Sequence, residues 1–277
     1  MKLSALYVAA YDAICGKHPY HRPWHFQWLW IRDHHAALRR ELSHTRGTVL
    51  DAGCGNQEYR AWLPPDSSYI GLDVKPPADI IVEPGCTWPL ADASADAVIC
   101  TQVIEHVAEL ETFMNELARV LKPGGKLIIS VPFAFNQHER RDYRRFTVPG
   151  IRALLARDFT NISAVGLGGA GSSSIQMLLN WIELTMSQNR TRLVVKALAM
   201  PVWIPLCGAC GAVGWLIDKL DKTGAFYGNV FAVAYRSGAG AVARPSSSSS
   251  AAAAPRRGRA FDHPMTIGAI FGFAEIR

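Results

Sequence analysis

The sequence has little charge. Of its 277 residues 19% are Asp, Glu, Lys or Arg, and the net charge is +6. Beyond Ser237 five Arg stand against Asp262 and Glu275, so half of the excess lies in that stretch and the body is near balance. That removes the basic footprint a nucleic-acid binder needs, and no nucleic-acid partner is expected. A disulfide framework is also missing. The six cysteines, Cys15, Cys54, Cys86, Cys100, Cys207 and Cys210, are scattered, unlike those of a small secreted scaffold. Cys207 and Cys210 have CxxC spacing, but their neighbours are apolar and no second ligand pair follows, so they read as packing. The first apolar stretch is interrupted by Tyr11 and Asp12, with no persuasive cleavage site after it. A signal peptide is not expected, and the expected location is cytoplasmic.

What is present is apolar: 49% of the chain is hydrophobic, ample for one sizeable core. Short strands alternate with helices from residue 47 on. Strands are expected at Val49-Leu50, 69–74, 79–82, 97–101, 126–131, 159–166 and 230–235. Helices are expected at 58–63, 105–121 and 147–157. This is the pattern of a doubly wound α/β sheet. Before it, residues 1–46 are rich in His and aromatics, and 24–42 has helical spacing with Trp24, Trp28, Ile31, His35 and Leu38 near one face. It reads as a helical cap. A zinc site from His18, His21, His25, His34 and His35 lacks acidic or Cys partners, and no metal is expected.

Ala197 to Ile217 is uncharged and reaches the length of a membrane span. Pro201, Pro205 and its glycines argue against one straight crossing. A strand at 230–235 that rejoins the sheet requires both ends of the insert on one side of any membrane. A broken hydrophobic hairpin dipping into a leaflet, or a flap lying on it, is therefore expected, with basic flanks suited to an anionic surface. The other reading is a buried helical hairpin. Ser237 to Arg277, with its serine, alanine and arginine runs, reads as disordered.

The chemistry is concentrated in Thr48 to Asn56, TVLDAGCGN. A strand ends at Asp51 and opens into Gly53-Cys54-Gly55, and Asp73 ends the next strand. A carboxylate at that place can take both hydroxyls of a ribose. A dinucleotide site would read GxGxxG and open a long helix. Here the third glycine position holds Glu58, which would repel a pyrophosphate and tolerate a ligand with an amino group.

VLDAGCGN, YIGLDV, ADAVICTQVIEHV and LKPGGKLIISVP, over roughly Thr48 to Val131, together resemble the sequence blocks of class I S-adenosylmethionine-dependent methyltransferases, in particular a methyltransferase type 11-like domain. The resemblance implies a Rossmann-like seven-stranded sheet with an antiparallel last strand, supplied by 230–235. The cofactor would be S-adenosylmethionine, with Asp51, Gly53, Cys54 and Gly55 at its methionine end, Asp73 on the ribose, Val74 on the adenine and Gln102 beside the methionine or the substrate. Glu83 stands where the family often places an acidic residue for the adenine amine, and that contact is left open. In ubiquinone-pathway and small-RNA methyltransferases a similar block reads Glu-x-x-Glu-His and binds a divalent ion. Here it is Gln102-Val-Ile-Glu105-His106, a poorer ligand set.

His106 and His138 lie where a base for a hydroxyl or ammonium acceptor is needed; the alternative for His106 is a structural hydrogen bond. His138 to Thr147 resembles a pattern in methyltransferases of bacterial surface-glycan and lipid pathways. Its arginines could fork onto a phosphate or carboxylate, or Arg145 could simply pair with Asp142.

The reading is an S-adenosylmethionine-dependent methyltransferase, acting by O-methylation on a glycan-, lipid- or prenyl-linked acceptor, peripheral on the inner face of the cytoplasmic membrane through 197–217. The alternatives are a soluble small-molecule methyltransferase and a catalytically silent binding module. The expected domains are a cap at 1–46, a methyltransferase domain at 47–171 and 228–236, a hydrophobic insert at 172–227 and a tail at 237–277.

Overall fold

A computed structural model describes residues 3–16 and 22–238. Seven strands carry the fold: β1 (Thr48–Ala52), β2 (Ser68–Asp73), β3 (Ile80–Ile81), β4 (Ala95–Thr101), β5 (Leu121–Pro132), β6 (Phe159–Leu167) and β7 (Asn229–Arg236). They form one sheet in the order β3-β2-β1-β4-β5-β7-β6. β7 runs antiparallel to both its neighbours, while β1 to β5 pair in parallel. This is the expected doubly wound sheet with an antiparallel last strand.

Side chains alternate across a pleated strand, so a strand covered on both faces is apolar throughout. Leu50, Val98, Cys100, Leu127 and Ile129 point to one face and pack with Met114, Leu117, Ile151 and Leu155. These come from α3 (Leu110–Val120) and α4 (Val148–Leu155). Val49, Ala97, Ile99, Ile128 and Phe231 point to the other face and meet Leu38 and Leu42 of α2 (Trp28–Leu42). The N-terminal helix is thus a layer of the sheet domain.

A third core joins α1 (Leu3–Cys15), α5 (Ala170–Ser187) and α6 (Arg190–Leu220), through Tyr7, Tyr11, Cys15, Leu179, Met200, Trp203 and Cys207. β6 and β5 both oppose β7, so they are parallel to each other. The hairpin α5–α6 therefore leaves the sheet at its C-terminal edge and returns there. Its base is pinned by polar contacts. Ser172 N–H donates to Asp218 Oδ1 at 2.8 Å and Ala170 N–H to Asp221 at 3.1 Å, while Arg32 of α2 reaches Asp218 at 3.4 Å.

Several expectations are corrected. The insert is not broken at its prolines. α6 is continuous through Pro201 and Pro205, because Met200, Trp203 and Cys207 hold one face on α1 and α5 across that region. The hairpin turn lies at Gln188-Asn189, where Asn189 caps α6 by accepting from Arg192 N–H. Glycines of α5 and α6 allow close packing: a Cβ on Gly171 of α5 would stand 2.0 Å from Gly214 O, and one on Gly214 of α6 would stand 2.3 Å from Leu29. The first cap helix covers 3–15 and the second begins at Trp28, since Arg22 to Trp28 is taken up by successive turns. His34, rather than His35, lies on its buried face. α3 starts at Leu110, because residues 103–107 form turns around the buried Glu105. His18, His21 and the tail from 239 on lie outside the described residues.

Gly171→Ala should cost about 1–3 kcal/mol through overpacking against Gly214, read as a lower urea midpoint at unchanged slope. An unchanged midpoint would mean that the two helices do not approach this closely.

Candidate functional site

The turn after β1 is built for close approach. Gly53 (φ +85°) donates its N–H to Leu72 O at 2.7 Å, and a Cβ there would lie 2.3 Å from a Val103 methyl. Gly55 (φ +50°) has open space where its Cβ would be. Asp73 bends back onto this turn, accepting from Gly55 N–H at 2.9 Å and from Val74 N–H at 2.7 Å. Val74 is half exposed beside it. Cys54 differs in direction: its Sγ is turned inward against Gly71, with the thiol pushed up to about 12 by burial, so only its backbone is left to face a ligand.

Asp51 is buried and takes a 2.7 Å hydrogen bond from the Tyr69 hydroxyl on Oδ2, while Oδ1 has no partner. Burial pushes its carboxyl up to about 7, partly offset by Tyr69. An unfilled buried acceptor, a carboxylate on the glycine turn and a position open to a backbone approach fit a nucleoside that carries an ammonium group. Glu83 is exposed in the turn after β3.

Gln102 follows β4 in a left-handed conformation (φ +56°). Its Nε2 lies 3.1 Å from Ser130 Oγ and 3.2 Å from Asn229 Oδ1. Next to it Glu105 is fully buried, with no hydrogen bond on either carboxyl oxygen and His106 Nε2 3.8 Å from Oε1. Burial pushes its pKa up to about 8, offset in part by its own backbone N–H and then by the charge of Arg145.

His106 and His138 are brought together, Nε2 to Nε2, at 3.1 Å. His106 Nδ1 contacts Arg141 O at 2.7 Å, and His138 Nδ1 faces Asp142 at 3.2 Å. Asp142 is clamped by Arg145, which holds its carboxyl below the usual range. Arg144 is spent on the carbonyls of Val107 and Ala108. Of the four loop arginines, Arg140 and Arg141 are therefore the exposed ones. No group of three His, Cys, Asp or Glu suited to a metal occurs among the described residues.

The sequence reading missed a second polar array. Asn136 Nδ2 donates to Gln137 O, Asn180 Nδ2 to Asn136 Oδ1 at 2.7 Å, and Gln176 Nε2 to Asn180 Oδ1 at 2.7 Å. It ties the loop that carries His138 to the buried face of α5. The signal was available, since Ser172, Gln176 and Asn180 recur every four residues in an otherwise apolar helix. Trp30, stacked on Phe135 with centroids 4.3 Å apart, Ser130 and Asn229 were missed too, and His34, weighed only as a zinc ligand, instead bonds Ser130.

Residues 50–129 match the family described as Methyltransferase domain. The chain carries a class I S-adenosylmethionine-dependent methyltransferase domain. S-adenosylmethionine is the cofactor of that family. The methyltransferase domain is 38% identical over 117 residues to a probable S-adenosylmethionine-dependent methyltransferase of Mycolicibacterium smegmatis, covering 37% of this chain and 45% of that one. It is 30% identical over 127 residues to a demethylmenaquinone methyltransferase of Tropheryma whipplei, covering 40% and 53%. The matches thus span about half the length of these relatives. A solved S-adenosylmethionine-dependent methyltransferase from Archaeoglobus fulgidus covers 83% of the chain and 99% of its own, at 14% identity and a TM-score of 0.47.

Glu105 generates a pH prediction. Its folded value, about 8, lies above its ordinary 4.5, so the native state holds this proton more tightly than the unfolded chain. The stability it contributes is full below 4.5 and is lost as pH rises through 8. Asp51, raised from 3.8 to about 7, has the same sign. His25 and His34, lowered by burial to about 4, act with the opposite sign below pH 6.5, so urea midpoints should fall from pH 6.5 to pH 8, and Glu105→Gln should shallow that slope. An identical slope in the variant would contradict the buried, unpartnered carboxyl.

Proposed function

We propose that this chain is an O-methyltransferase that uses S-adenosylmethionine on a glycan-, lipid- or prenyl-linked hydroxyl, working peripherally on the inner face of the cytoplasmic membrane. The observation that carries this reading is the placement of the hydrophobic hairpin, which rises from the sheet edge that holds the glycine turn, Gln102 and the two histidines.

The hairpin's outer surface is apolar on one side along its whole length. On α6, Val195, Leu198, Val202, Leu206, Val213, Leu216 and Leu220 recur every three to seven residues and are exposed, Leu198 by 77%. Leu178, Trp181 and Leu184 on α5, and Leu6, Val8 and Ile14 on α1, are exposed as well. α6 is long and apolar enough to cross a membrane. Its tip, however, is Gln188-Asn189-Arg190-Thr191-Arg192, which is costly to drive through hydrocarbon. A one-sided stripe with a polar tip suits a helix lying in the plane of the interface. Lys219, 3.8 Å over the Trp215 ring, and Lys222 supply cations for anionic headgroups. A patch of this extent is unusual on a protein that stays in water. The Tropheryma whipplei relative is named for a demethylmenaquinone, a lipid-related acceptor.

The cofactor supplies an activated methyl group on a sulfonium, so the protein's task is positioning and proton removal. Asp73 and the glycine turn would hold the nucleoside, and Asp51 the region of the ammonium. Arg141 O fixes His106 through Nδ1, and Asp142 fixes His138 through its own Nδ1. A proton taken from the acceptor hydroxyl would be held between the facing Nε2 atoms. Exposed Arg140 and Arg141 are free to meet a phosphate or carboxylate on the acceptor.

Calorimetry should show S-adenosylmethionine binding by the full chain. Asp73→Ala should weaken it at least about tenfold, since losing one charge-assisted hydrogen bond costs about 1.5–3 kcal/mol. Radiolabelled methyl groups should enter the lipid-soluble fraction of a cell extract. The chain should float with vesicles containing anionic lipid, and Leu198→Glu with Val202→Glu should abolish flotation without lowering cofactor affinity. Label confined to water-soluble small molecules, with no flotation, would replace this reading with a soluble methyltransferase.

A further inference from the structure

The direction of one carboxamide can be deduced from its neighbours. Trp30 O is a backbone carbonyl and can only accept. The Asn229 atom 3.1 Å from it is therefore Nδ2, and Asn229 turns Oδ1 toward Gln102. Gln102 must answer with Nε2, at 3.2 Å, and the same nitrogen lies 3.1 Å from Ser130 Oγ. Both Nε2 hydrogens are thereby used. Ser130 Oγ also lies 2.7 Å from His34 Nε2, a hydrogen bond whose direction follows the His34 tautomer and which holds the hydroxyl in place either way. His34 is fully buried in α2, and burial lowers it to about 4, so the ring is neutral near pH 7. Carboxamide ends are assigned from such networks, and here a main-chain carbonyl anchors the assignment.

What remains is Gln102 Oε1. No hydrogen bond reaches it among the described residues, and Gln102 is only half buried. It stands just past β4, next to Val103, whose methyl closes over Gly53. Its backbone is held in the left-handed region, a conformation that costs on the order of 1 kcal/mol for a residue with a Cβ. Gln102 N–H to Ser130 O at 2.8 Å fixes it there. Strain and a two-sided clamp on one amide group are unnecessary for packing alone. Their joint result is that the NH₂ is committed and the oxygen is the end of the amide left for a ligand.

We propose that Asn229 and Ser130, anchored by Trp30 O and backed by His34, are positioning residues that present Gln102 Oε1 as a fixed partial negative charge to the cationic end of S-adenosylmethionine. The inference rests on the methyltransferase reading above. An unclamped glutamine could rotate and offer NH₂, which repels a cation. A carboxylate in its place would add a partly desolvated charge at the edge that already holds the buried carboxyls of Asp51 and Glu105. A locked amide gives the sign without the charge. It also makes α2, which otherwise serves as a sheet layer, part of the cofactor site.

The test is calorimetric affinity of the full chain for three probes: S-adenosylmethionine, S-adenosylhomocysteine and 5′-methylthioadenosine. The last keeps adenine, ribose and sulfur but has neither ammonium nor sulfonium. Ser130→Ala, Asn229→Ala and Gln102→Leu should each weaken S-adenosylmethionine about five- to tenfold, the size of one hydrogen-bond-scale interaction. Methylthioadenosine should change less than about twofold. In the Gln102→Leu background, Ser130→Ala should add nothing, because both act through one amide. Equal loss for S-adenosylhomocysteine assigns Oε1 to the ammonium, and loss for S-adenosylmethionine alone assigns it to the sulfonium; either supports the proposal. Unchanged S-adenosylmethionine affinity in Ser130→Ala and Asn229→Ala would overturn it. So would additive losses shared by methylthioadenosine, which would mark general damage. A native protein that binds none of the three defeats the methyltransferase reading itself.

Discussion

The antiparallel pairing of β7 between β5 and β6 governs the rest of the molecule. Because β7 must enter the sheet from its C-terminal edge, the 61 residues from Gly168 to Gly228 that separate β6 from β7 begin and end at the edge that carries the glycine turn. A helical insert of that size anywhere else would be an appendage. Here Ser172 and Asp218, with Ala170 and Asp221, close its base by joining the start of α5 to the end of α6, and Arg32 ties Asp218 to α2. Any surface the hairpin seeks is then brought within a fixed distance of Gln102 and His138. The hydrophobic effect drives the inner face of α6 onto α1 and α5, yet it leaves an equally apolar outer face exposed. The topology decides where that unspent apolar surface stands.

The same edge holds several buried polar groups without hydrogen bonds. Asp51 Oδ1, both oxygens of Glu105 and Gln176 Oε1 are buried without hydrogen bonds, and each such group costs about 1–3 kcal/mol. The central strands show the opposite behaviour, with Val98, Ile99, Leu127 and Ile128 fully enclosed in apolar contacts. Stability is supplied by the two faces of the sheet and withheld at its rim. That division is expected where a fold is shaped for a ligand rather than for its own packing.

Much of the fold was legible because the signals were local. Strand alternation, the Gly53-x-Gly55 turn and Asp73 at the end of β2 can be read from neighbours in sequence. The failures share one cause. Whether Pro201 and Pro205 break a helix depends on what packs against Met200 and Trp203, which is settled by Tyr7 and Leu179 far away in the chain. The start of α3 was misplaced because Glu105 is drawn into the interior, although its sequence surroundings suit a helix start. His106 and His138 were each legible as candidates, but their 3.1 Å approach was not, since it depends on Asp142 and Arg145 folding the intervening loop back. Trp30, His34, Ser130 and Asn229 carry no motif and are 199 residues apart at the extremes.

The two amide arrays show why such sites escape pattern reading. One runs from Trp30 O through Asn229 to Gln102, the other from Gln137 O through Asn136 and Asn180 to Gln176. Each starts at a backbone carbonyl, which can only accept, and that forces a nitrogen toward it. Every later amide is then oriented in turn, so each array ends on a bare oxygen, Oε1 of Gln102 and Oε1 of Gln176. The chemical sign at the end of the array is set by a main-chain group at its beginning. Residue identity gives an amide with two opposite faces. Which face a ligand meets is a property of the tertiary structure alone.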